Sequence, residues 1–242
     1  MIDLGALGKL CDHQGAEAGK LYVVATPLGN LADLTLRAIR ILETCDCIAC
    51  ETPSITKRLL SILDIQGKHL FTYRDAGETK SAQHLLERLQ QGQSVALVSD
   101  AGTPTISDPG YRLVKLCRDQ SIDVVPIPGA SATIAALSAS GFPCHQFLFL
   151  GFLPIKSGAR EKLLKTHQTF GGTLIIYESP YRVRKLLSAL KEIYGGARRV
   201  CVARELTKLN ESFYQGQLGS LDLAQCPERG EYVILVAPEA DE

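Results

Sequence analysis

The sequence predicts an α/β fold built from two lobes. Short β-branched or aromatic runs alternate with segments of helical apolar spacing, and a second such series follows in the later half of the chain. Two prolines and a glycine interrupt the pattern near residues 126 to 129. Such alternation is typical of mostly parallel sheets covered by helices. We therefore place an N-terminal lobe at residues 20–127 and a C-terminal lobe at residues 128–238.

In the first lobe, Leu21 to Ala25 forms a strand-like run that stops in a segment dense in turn residues. Apolar residues at helical spacing follow and lead to a second predicted strand at 45–50. Further strands are predicted at 94–98 and 124–127, with helices near 81–91 and 110–119. Ligands of such sheets bind at the loops that leave the carboxyl ends of the strands, so the chemistry is expected there.

The second lobe repeats the mixture of apolar runs and helical patterns. Strands are predicted near 147–152, 173–177, 199–203 and 231–236, and helices near 157–167 and 180–193. With 242 residues in all, each lobe is long enough to bury a hydrophobic core of its own.

Charge gives little general attraction for nucleic acid, because 26 basic and 26 acidic side chains leave a formal net charge of +0. Any RNA contact must therefore use local basic patches. Two segments provide them, one with Lys156, Arg160, Lys162 and Lys165, the other with Tyr181, Arg182, Arg184 and Lys185. An ordinary solvated helix face explains each of these segments equally well.

The eight cysteines predict reduced, buried thiols. They are Cys11, Cys45, Cys47, Cys50, Cys117, Cys144, Cys201 and Cys226. Disulfide frameworks are typical of small secreted chains, and the polar start of this sequence lacks the pattern of a signal peptide. The cluster at 45–50 lacks the paired spacing of a closed zinc site. We expect no metal site, no membrane span and a cytoplasmic location.

Three predicted strand ends carry loops rich in glycine or proline. Their sequences are TPLGN at 26–30, DAGTP at 100–104 and PGASA at 128–132. Glycine and alanine let a ligand approach the main chain, and proline restricts the loop to one shape. A tight turn explains any one such loop, but three at successive strand ends predict a rigid ligand cradle. Ser131 is expected to cap a helix whose start would attract a carboxylate.

Common alternatives lose their main support in these loops. The chain has neither the G-x-G-x-x-G fingerprint of dinucleotide-binding proteins nor the P-loop pattern. The loop around Ser131 also lacks the closing glycine of a nucleophile elbow, which disfavours a serine hydrolase.

Six segments carry a more specific likeness. They are Leu21 to Asn30, VALVSDAGTPTISD at 95–108, PGASATIAALSASG at 128–141, FLGFLPIKSG at 149–158, YESPYR at 177–182 and ARELTK at 203–208. Together they resemble the ribosomal small-subunit RNA (cytidine-2′-O)-methyltransferase family, within the tetrapyrrole methylase superfamily. The resemblance covers about residues 21–236, and its most specific parts are the SDAGTP-x-ISDPG run and the ARELTK motif.

The resemblance implies a two-lobed tetrapyrrole-methylase-like fold, with a mostly parallel sheet in the first lobe and a mixed sheet in the second. It also implies a homodimer that binds S-adenosylmethionine in the cleft between lobes and acts on the small ribosomal subunit or its rRNA. The cofactor contacts that it implies are Pro27, Asp100, Ala101, Gly102, Ser131, Ala132, Phe152, Tyr177, Ala203 and Leu206.

Methyl transfer to a ribose hydroxyl requires an oxygen positioned in line with the methyl group, and a nearby base or cation assists the attack. The candidates for that assistance are Glu51, Glu78, Glu178, Glu205 and Lys208. A solvated or salt-bridged structural role is the alternative for each carboxylate. Glu205 and Lys208 rank first because they lie in the ARELTK motif. Arg204 is expected to position a phosphate or to hold a contact between lobes.

Two loops of the first lobe depart from the family pattern. Cys50-Glu51-Thr52-Pro53-Ser54 replaces Ala-Glu-Asp-Thr-Arg, and Tyr73-Arg74-Asp75-Ala76-Gly77-Glu78 replaces Tyr-His-x-His-Asn-Glu. Three hypotheses therefore remain. The chain is an RNA 2′-O-methyltransferase, a methyltransferase of the same fold for a small molecule such as a tetrapyrrole, or a cofactor-binding protein that has lost catalysis.

Overall fold

The computed structural model describes residues 15–74, 77–222, 224 and 226–239. Contacts within the chain divide it into two units, Met1–Ser131 and Ala132–Glu242. Each unit contains one five-stranded sheet. The first sheet is parallel and the second is mixed, so the predicted fold class is confirmed.

The sheet of the first unit has the strand order β3-β2-β4-β1-β5, and all neighbouring strands are parallel. Its strands are β1 (Leu21–Val24), β2 (Cys47–Cys50), β3 (His69–Thr72), β4 (Val95–Val98) and β5 (Val124–Ile127). The connecting helices are α1 (Leu36–Thr44), α2 (Pro53–Ile62), α3 (Glu78–Gln90) and α4 (Tyr111–Asp119).

Local sequence explains where these elements begin. Helix α1 starts after Thr35, whose side chain accepts a hydrogen bond from the N–H of Ala38 at 3.1 Å. Pro53 occupies the first turn of α2, where its missing N–H costs nothing. Strand β2 begins later than predicted, because the Asp46 carboxylate turns aside to accept hydrogen bonds from Ser94. Those hydrogen bonds lower the pKa of Asp46.

Two elements of the first unit, α2 and β3, were not predicted from the sequence. Strand β3 lies at the edge of the sheet, and none of its residues is fully buried. An edge strand of this length with exposed ends has a weak apolar pattern. Helix α2 begins within the Thr52-Pro53-Ser54 segment, which read as a loop.

Apolar side chains cover both faces of the first sheet. On one face, Val24, Ile48 and Val98 belong to a buried cluster that includes Ala38 and Ile41 of α1. The cluster on the opposite face contains Leu21, Ala49, Val95, Leu97, Leu85, Leu89 and Leu113, which come from the strands, α3 and α4. The sheet is therefore buried on both sides, and only its edges and strand ends are open to ligands.

The strand order places a topological switch point between β1 and β4. The chain leaves β1 through α1 and passes over β4 to reach β2, whereas it leaves β4 through α4 and passes over β1 to reach β5. The two connections run in opposite directions, and ligands of parallel sheets bind at the carboxyl ends of strands at such a point.

The second unit has the strand order β6-β7-β10-β8-β9. Only the β6–β7 pair is parallel. The elements are α5 (Ala132–Ala139), β6 (Phe147–Phe152), α6 (Ser157–Thr166), β7 (Thr173–Glu178), α7 (Val183–Tyr194), β8 (Arg199–Arg204), β9 (Ser212–Gln217) and β10 (Tyr232–Val236). Strand β9 was missed by sequence reasoning because its residues are half-buried or exposed and mostly polar.

The core of the second unit lies between its sheet and the helices that follow β6 and β7. Leu186 and Leu190 of α7 and Leu164 of α6 pack in one cluster with alternate strand residues such as Ile176 and Ile234. Helix α7 ends at Gly195, whose φ of +85° suits glycine.

The seven cysteines of the described residues are not joined by disulfides, and the expectation of buried thiols is wrong for Cys144, which is exposed. Six others are buried, and burial raises the pKa of Cys45, Cys47 and Cys117 to about 11 each. Cys11 lies outside the described residues. Within the described part of the chain, no cluster of three or more metal-ligating side chains occurs and no helix could cross a membrane.

Glu78, one of the carboxylates considered as a base, serves the fold instead. Its Oε1 atom accepts hydrogen bonds from the Tyr73 hydroxyl at 3.0 Å and from the N–H groups of Gly110 and Arg112, both at 3.3 Å. Its Oε2 atom pairs with Arg112 Nε at 3.0 Å. The carboxylate therefore caps the amino end of α4, where the helix dipole favours negative charge.

We expect the Glu78→Ala substitution to lower the free energy of unfolding by about 2 to 3 kcal/mol, because a cap is lost and buried donors are left unpaired. Glu87→Ala, at an exposed position of the same helix, is the matched control and should change it by less than about 0.5 kcal/mol. Urea unfolding followed by circular dichroism measures both variants. Equal losses in the two variants would contradict the capping role.

Candidate active site

The loops after β1 and β4 are joined across the switch point. Thr26 and Gly102 exchange two backbone hydrogen bonds, each 2.9 Å long. The Thr26 hydroxyl also donates to the carbonyl of Ser99 at 3.1 Å. These bonds fix the two loops relative to each other before any ligand binds.

The loop after β5 is attached to the same pair. The Thr103 hydroxyl donates to the carbonyl of Ala130 at 3.0 Å. A Cβ atom added at Gly129 would lie 2.8 Å from the Cβ of Ala25, so only glycine allows the chain to pass there. The three loops therefore form one connected structure, and the cradle inferred from the sequence has a physical basis in the first unit.

Gly102 is required twice in this cradle. Its φ is +79°, a conformation that side chains rarely adopt. An added Cβ would also approach the Leu28 side chain to 3.1 Å and the Ala130 carbonyl to 3.7 Å. A side chain at position 102 would therefore displace Leu28 and distort the joined loops.

The first departing segment also reaches this site. Asp100 Oδ1 accepts the N–H of Thr52 at 3.0 Å, which joins the loop after β2 to the loop after β4. Arg74 Nε donates to the Glu51 carbonyl at 2.8 Å, so the loops after β2 and β3 are joined as well. Asp75 and Ala76 of the second departing segment lie outside the described residues.

A pocket of about 390 Å³ opens beside these loops within the first unit. Pro27 and Asp100 lie on its wall, and apolar side chains of Leu28, Ile55 and Leu59 provide most of the remaining surface. The volume is in the range of small-molecule and nucleoside sites.

In the second unit, Tyr177 organises the residues that the resemblance assigns to the cofactor. Its hydroxyl accepts the N–H of Thr133 at 3.1 Å and shares a 2.8 Å hydrogen bond with the Thr133 hydroxyl. A capping Ser131 would accept the N–H of Thr133, but this N–H donates to the Tyr177 hydroxyl instead. The ring of Phe152 contacts the Tyr177 ring edge-on at 5.7 Å and is 57% exposed. Ala203 and Leu206 are buried at the end of β8 and just after it.

Glu205 and Lys208 are brought together in a small ion-pair network. Lys208 Nζ lies 3.0 Å from Glu205 Oε1 and 2.9 Å from Glu231 Oε2. The N–H of Glu231 donates to Glu205 Oε1 at 3.0 Å, and the N–H of Glu205 donates to the Glu231 carbonyl at 2.9 Å. Glu205 and Thr207 have φ values of +52° and +65°. Strained non-glycine residues of this kind cluster at functional sites.

The charges in this network are stable near neutral pH. Burial opposes ionisation of Glu205, but hydrogen bonds from Lys208 and Glu231 and the nearby positive charges hold its pKa below the usual value. Burial likewise disfavours the Lys208 charge, but its hydrogen bonds to Glu231 and Glu205 raise its pKa above the ordinary value. Lys208 therefore stays protonated and cannot act as a base. Glu205, a carboxylate with a lowered pKa, is a weak base.

The remaining candidate residues are engaged in structural contacts. The buried Arg204 guanidinium lies 3.1 Å from the Arg229 carbonyl and 3.5 Å from the Asn210 carbonyl, so it joins β8 to two loops of its own unit. Glu178 is 2% exposed and pairs with Arg182 at 3.1 Å. Burial raises the pKa of the Glu178 carboxyl, against the opposing effect of the Ser179 N–H and the charges of Arg182 and Arg160.

Comparison with known proteins agrees with this geometry. The family model described as Tetrapyrrole (Corrin/Porphyrin) Methylases matches residues 20–222. The chain belongs to the tetrapyrrole methylase family. Among its relatives, the protein named Ribosomal RNA small subunit methyltransferase I from Mesorhizobium japonicum is 46% identical over 92% of this chain and 77% of its own. The protein of that name from Escherichia coli O157:H7 is also 46% identical, over 93% of this chain and 80% of its own.

Solved structures support the fold of this tetrapyrrole methylase family member. A diphthine synthase has a TM-score of 0.71 at 13% identity and covers 92% of this chain and 91% of that chain. The methyltransferase CobJ has a TM-score of 0.68 at 21% identity, over 92% and 95%. A uroporphyrin-III C-methyl transferase from Thermus thermophilus, solved in complex with S-adenyl homocysteine, has a TM-score of 0.63 at 17% identity, over 90% and 97%.

Sequence reasoning missed two residues beside Glu205. One is Glu231, which belongs to the ion-pair network, and the other is Gly230. An added Cβ at Gly230, where φ is +94°, would lie 2.8 Å from Glu205 Cγ, so this glycine provides the seat of the Glu205 side chain. Only the antiparallel pairing of β8 with β10 brings these residues to Glu205. A correct pairing of those two strands is the signal that would have found them.

We expect Gly230→Ala to displace the Glu205 side chain from Lys208 and so to raise the pKa of the Glu205 carboxyl towards its ordinary value of about 4.3. The matched control is Gly195→Ala. Gly195 also has a positive φ, of +85°, but a Cβ added there would meet no atom within 4 Å. Carboxyl ¹³C NMR titration measures the pKa in each variant. A Glu205 pKa that shifts equally in both would mean that Gly230 does not seat the carboxylate.

Proposed function

We propose that this chain is an S-adenosylmethionine-dependent methyltransferase that methylates a cytidine ribose 2′-hydroxyl of small-subunit ribosomal RNA. The observation that carries the proposal is the 46% identity to relatives named Ribosomal RNA small subunit methyltransferase I over more than nine-tenths of this chain. The family model at residues 20–222 covers the three loops of the cradle together with Glu205 and Lys208. The neighbouring structure with S-adenyl homocysteine supports the choice of cofactor.

The residues present fit such a cofactor. In the first unit, the loops after β1, β4 and β5 are joined by hydrogen bonds and provide a preformed surface beside a pocket of about 390 Å³. We propose that the cofactor contacts in that unit are Pro27, Asp100, Ala101, Gly102 and Ser131. In the second unit we propose Ala132, Phe152, Tyr177, Ala203 and Leu206. When bound, S-adenosylmethionine supplies an electrophilic methyl group.

The protein's part in the reaction is positioning and electrostatics. The pocket beside Pro27 and Asp100, of about 390 Å³ and with mostly apolar walls, has room for the target nucleoside. Lys208 provides a fixed positive charge, and Glu205 and Glu231 hold its ammonium group in place. We assign Glu205 and Lys208 to the transfer step, with Arg204 as the positioning residue that holds β8 to its neighbouring loops.

The chain's partner and location follow from this proposal. The substrate is the small ribosomal subunit, which places the enzyme in the cytoplasm, and the family resemblance favours a homodimer. The neutral net charge gives no long-range attraction for RNA, so recognition depends on local patches and on the shape of the target.

We expect Gly102→Ala to weaken S-adenosylmethionine binding by more than tenfold, because the new methyl group would lie 3.1 Å from Leu28 and distort the loops that contact the cofactor. Gly92→Ala is the matched control, with a φ of +85° and no atom within 4 Å. Both variants should lose about 1 to 2 kcal/mol of stability from the left-handed backbone, and only Gly102→Ala should lose affinity. Calorimetric titration decides this, and unchanged affinity in Gly102→Ala would remove the cradle from the cofactor site.

We expect assembled small subunits from an unmethylated strain to accept tritiated methyl groups much faster than naked RNA of the same sequence. The assembled particle presents the nucleotide in a fixed shape, which compensates for the weak general attraction. Methyl incorporation into both substrates is measured under identical conditions. Equal rates would refute recognition by shape, whereas cofactor binding without transfer to either substrate would favour the small-molecule or non-catalytic hypothesis.

A further inference from the structure

Two segments of the second unit present large apolar side chains to solvent at one edge of the sheet. The first is the loop 153–156 after β6, and the second is the turn 179–182 after β7. Because β6 and β7 are parallel neighbours, the ends of both strands meet at that edge. Ile155 leaves 82% of its surface exposed and Tyr181 leaves 79%. Such exposure of large apolar groups on a rigid frame indicates a binding surface.

Two arginine side chains, Arg160 buried and Arg182 partly buried, hold these segments in place. Arg182 donates to the Leu153 carbonyl at 2.9 Å and pairs with Glu178, so it joins the turn to the loop. Arg160 donates to the Ile155 carbonyl at 3.4 Å and is only 5% exposed. Its Nε atom is buried without a hydrogen-bond partner. Burying a charge lowers the stability of the fold. We therefore interpret these contacts as holding the loop and the turn rigid rather than as stabilising the unit.

This frame corrects the view of both basic segments as uniform charged faces. Arg160 and Arg182 are structural and cannot follow an RNA backbone. The basic side chains that remain exposed near the two segments are Lys156, Lys162, Lys165, Arg184 and Lys185. Glu161 is the only acidic residue of 153–165, and 179–187 contains none. Aromatic and apolar groups beside lysines match the chemistry of unpaired RNA, whose bases stack while its phosphates carry negative charge.

We propose that Ile155, Lys156, Tyr181 and Lys185 form a surface that binds an unpaired stretch of the substrate RNA. The Tyr181 ring stacks on a base, Ile155 packs beside it, and the two lysines contact phosphates. The inference rests on the proposed function and specifies how that function recognises RNA. Stacking of this kind tolerates any base, so the surface provides affinity and the target's shape provides specificity.

The test uses a fluorescent single-stranded RNA of about 12 nucleotides and, separately, unmethylated small subunits. Tyr181→Ala should weaken binding to the RNA about 5- to 150-fold, and Tyr181→Phe should bind as the wild-type protein does. Lys156→Ala and Lys185→Ala should each reduce the slope of log affinity against log salt by about 0.7. Lys191→Ala, an exposed lysine nearer the end of α7, removes the same charge and should leave the slope unchanged.

Unchanged RNA affinity in Tyr181→Ala would overturn the proposal, as would a wild-type protein that binds neither probe. Weakened self-association in sedimentation experiments, with normal RNA affinity, would assign the surface to a second copy of the chain. Calorimetry of S-adenosylmethionine binding checks that each variant is folded. Normal methylation of subunits by the wild-type protein, together with an unaffected Tyr181→Ala variant, would reject this surface while leaving the proposed function intact.

Discussion

The two backbone hydrogen bonds between Thr26 and Gly102 are the constraint on which the candidate site depends. They cross the gap between β1 and β4, the two strands whose connections leave in opposite directions. Without them, two loops would move independently at the edge of a parallel sheet. With them, the ordering entropy is lost during folding rather than during ligand binding. Gly102 can form these two hydrogen bonds only because glycine tolerates a φ of +79°.

The charged side chains of the molecule are of two kinds. Glu78, Glu178 and Arg204 are buried and matched to backbone groups or ion-pair partners, and each of them fixes a helix end or a loop. Lys208 differs because it is shared between two carboxylates at a strained turn. A strained backbone persists only where surrounding contacts determine it, and here β8, β10 and Gly230 supply those contacts. The network therefore has the rigidity expected of a site that stabilises charge.

The sequence alone predicts the α/β alternation, both apolar cores and the three loops, because these features depend on local periodicity and on turn residues. It does not reveal α2, β3 or β9, whose apolar patterns are weak, nor the contact of Glu231 with Glu205. That contact depends on the register of β8 with β10, and no local pattern encodes pairing between distant segments. Arg160 and Arg182 read as surface cations for the same reason. Their structural contacts are made with the Glu178 carboxylate and with loop carbonyls that become neighbours only in the folded unit.

The capping of α4 by Glu78 bears on how this protein diverges from its relatives. Tyr73 and Glu78 hydrogen-bond to each other at 3.0 Å, and both contact the amino end of α4. They stand at the two ends of the departing segment, and both match the family pattern. Tyr73 and Glu78 themselves make the contacts with α4, so a change of sequence between them leaves the groups that cap this helix in place. Mutations in this loop can then change what this end of the sheet recognises with little effect on the stability of the fold.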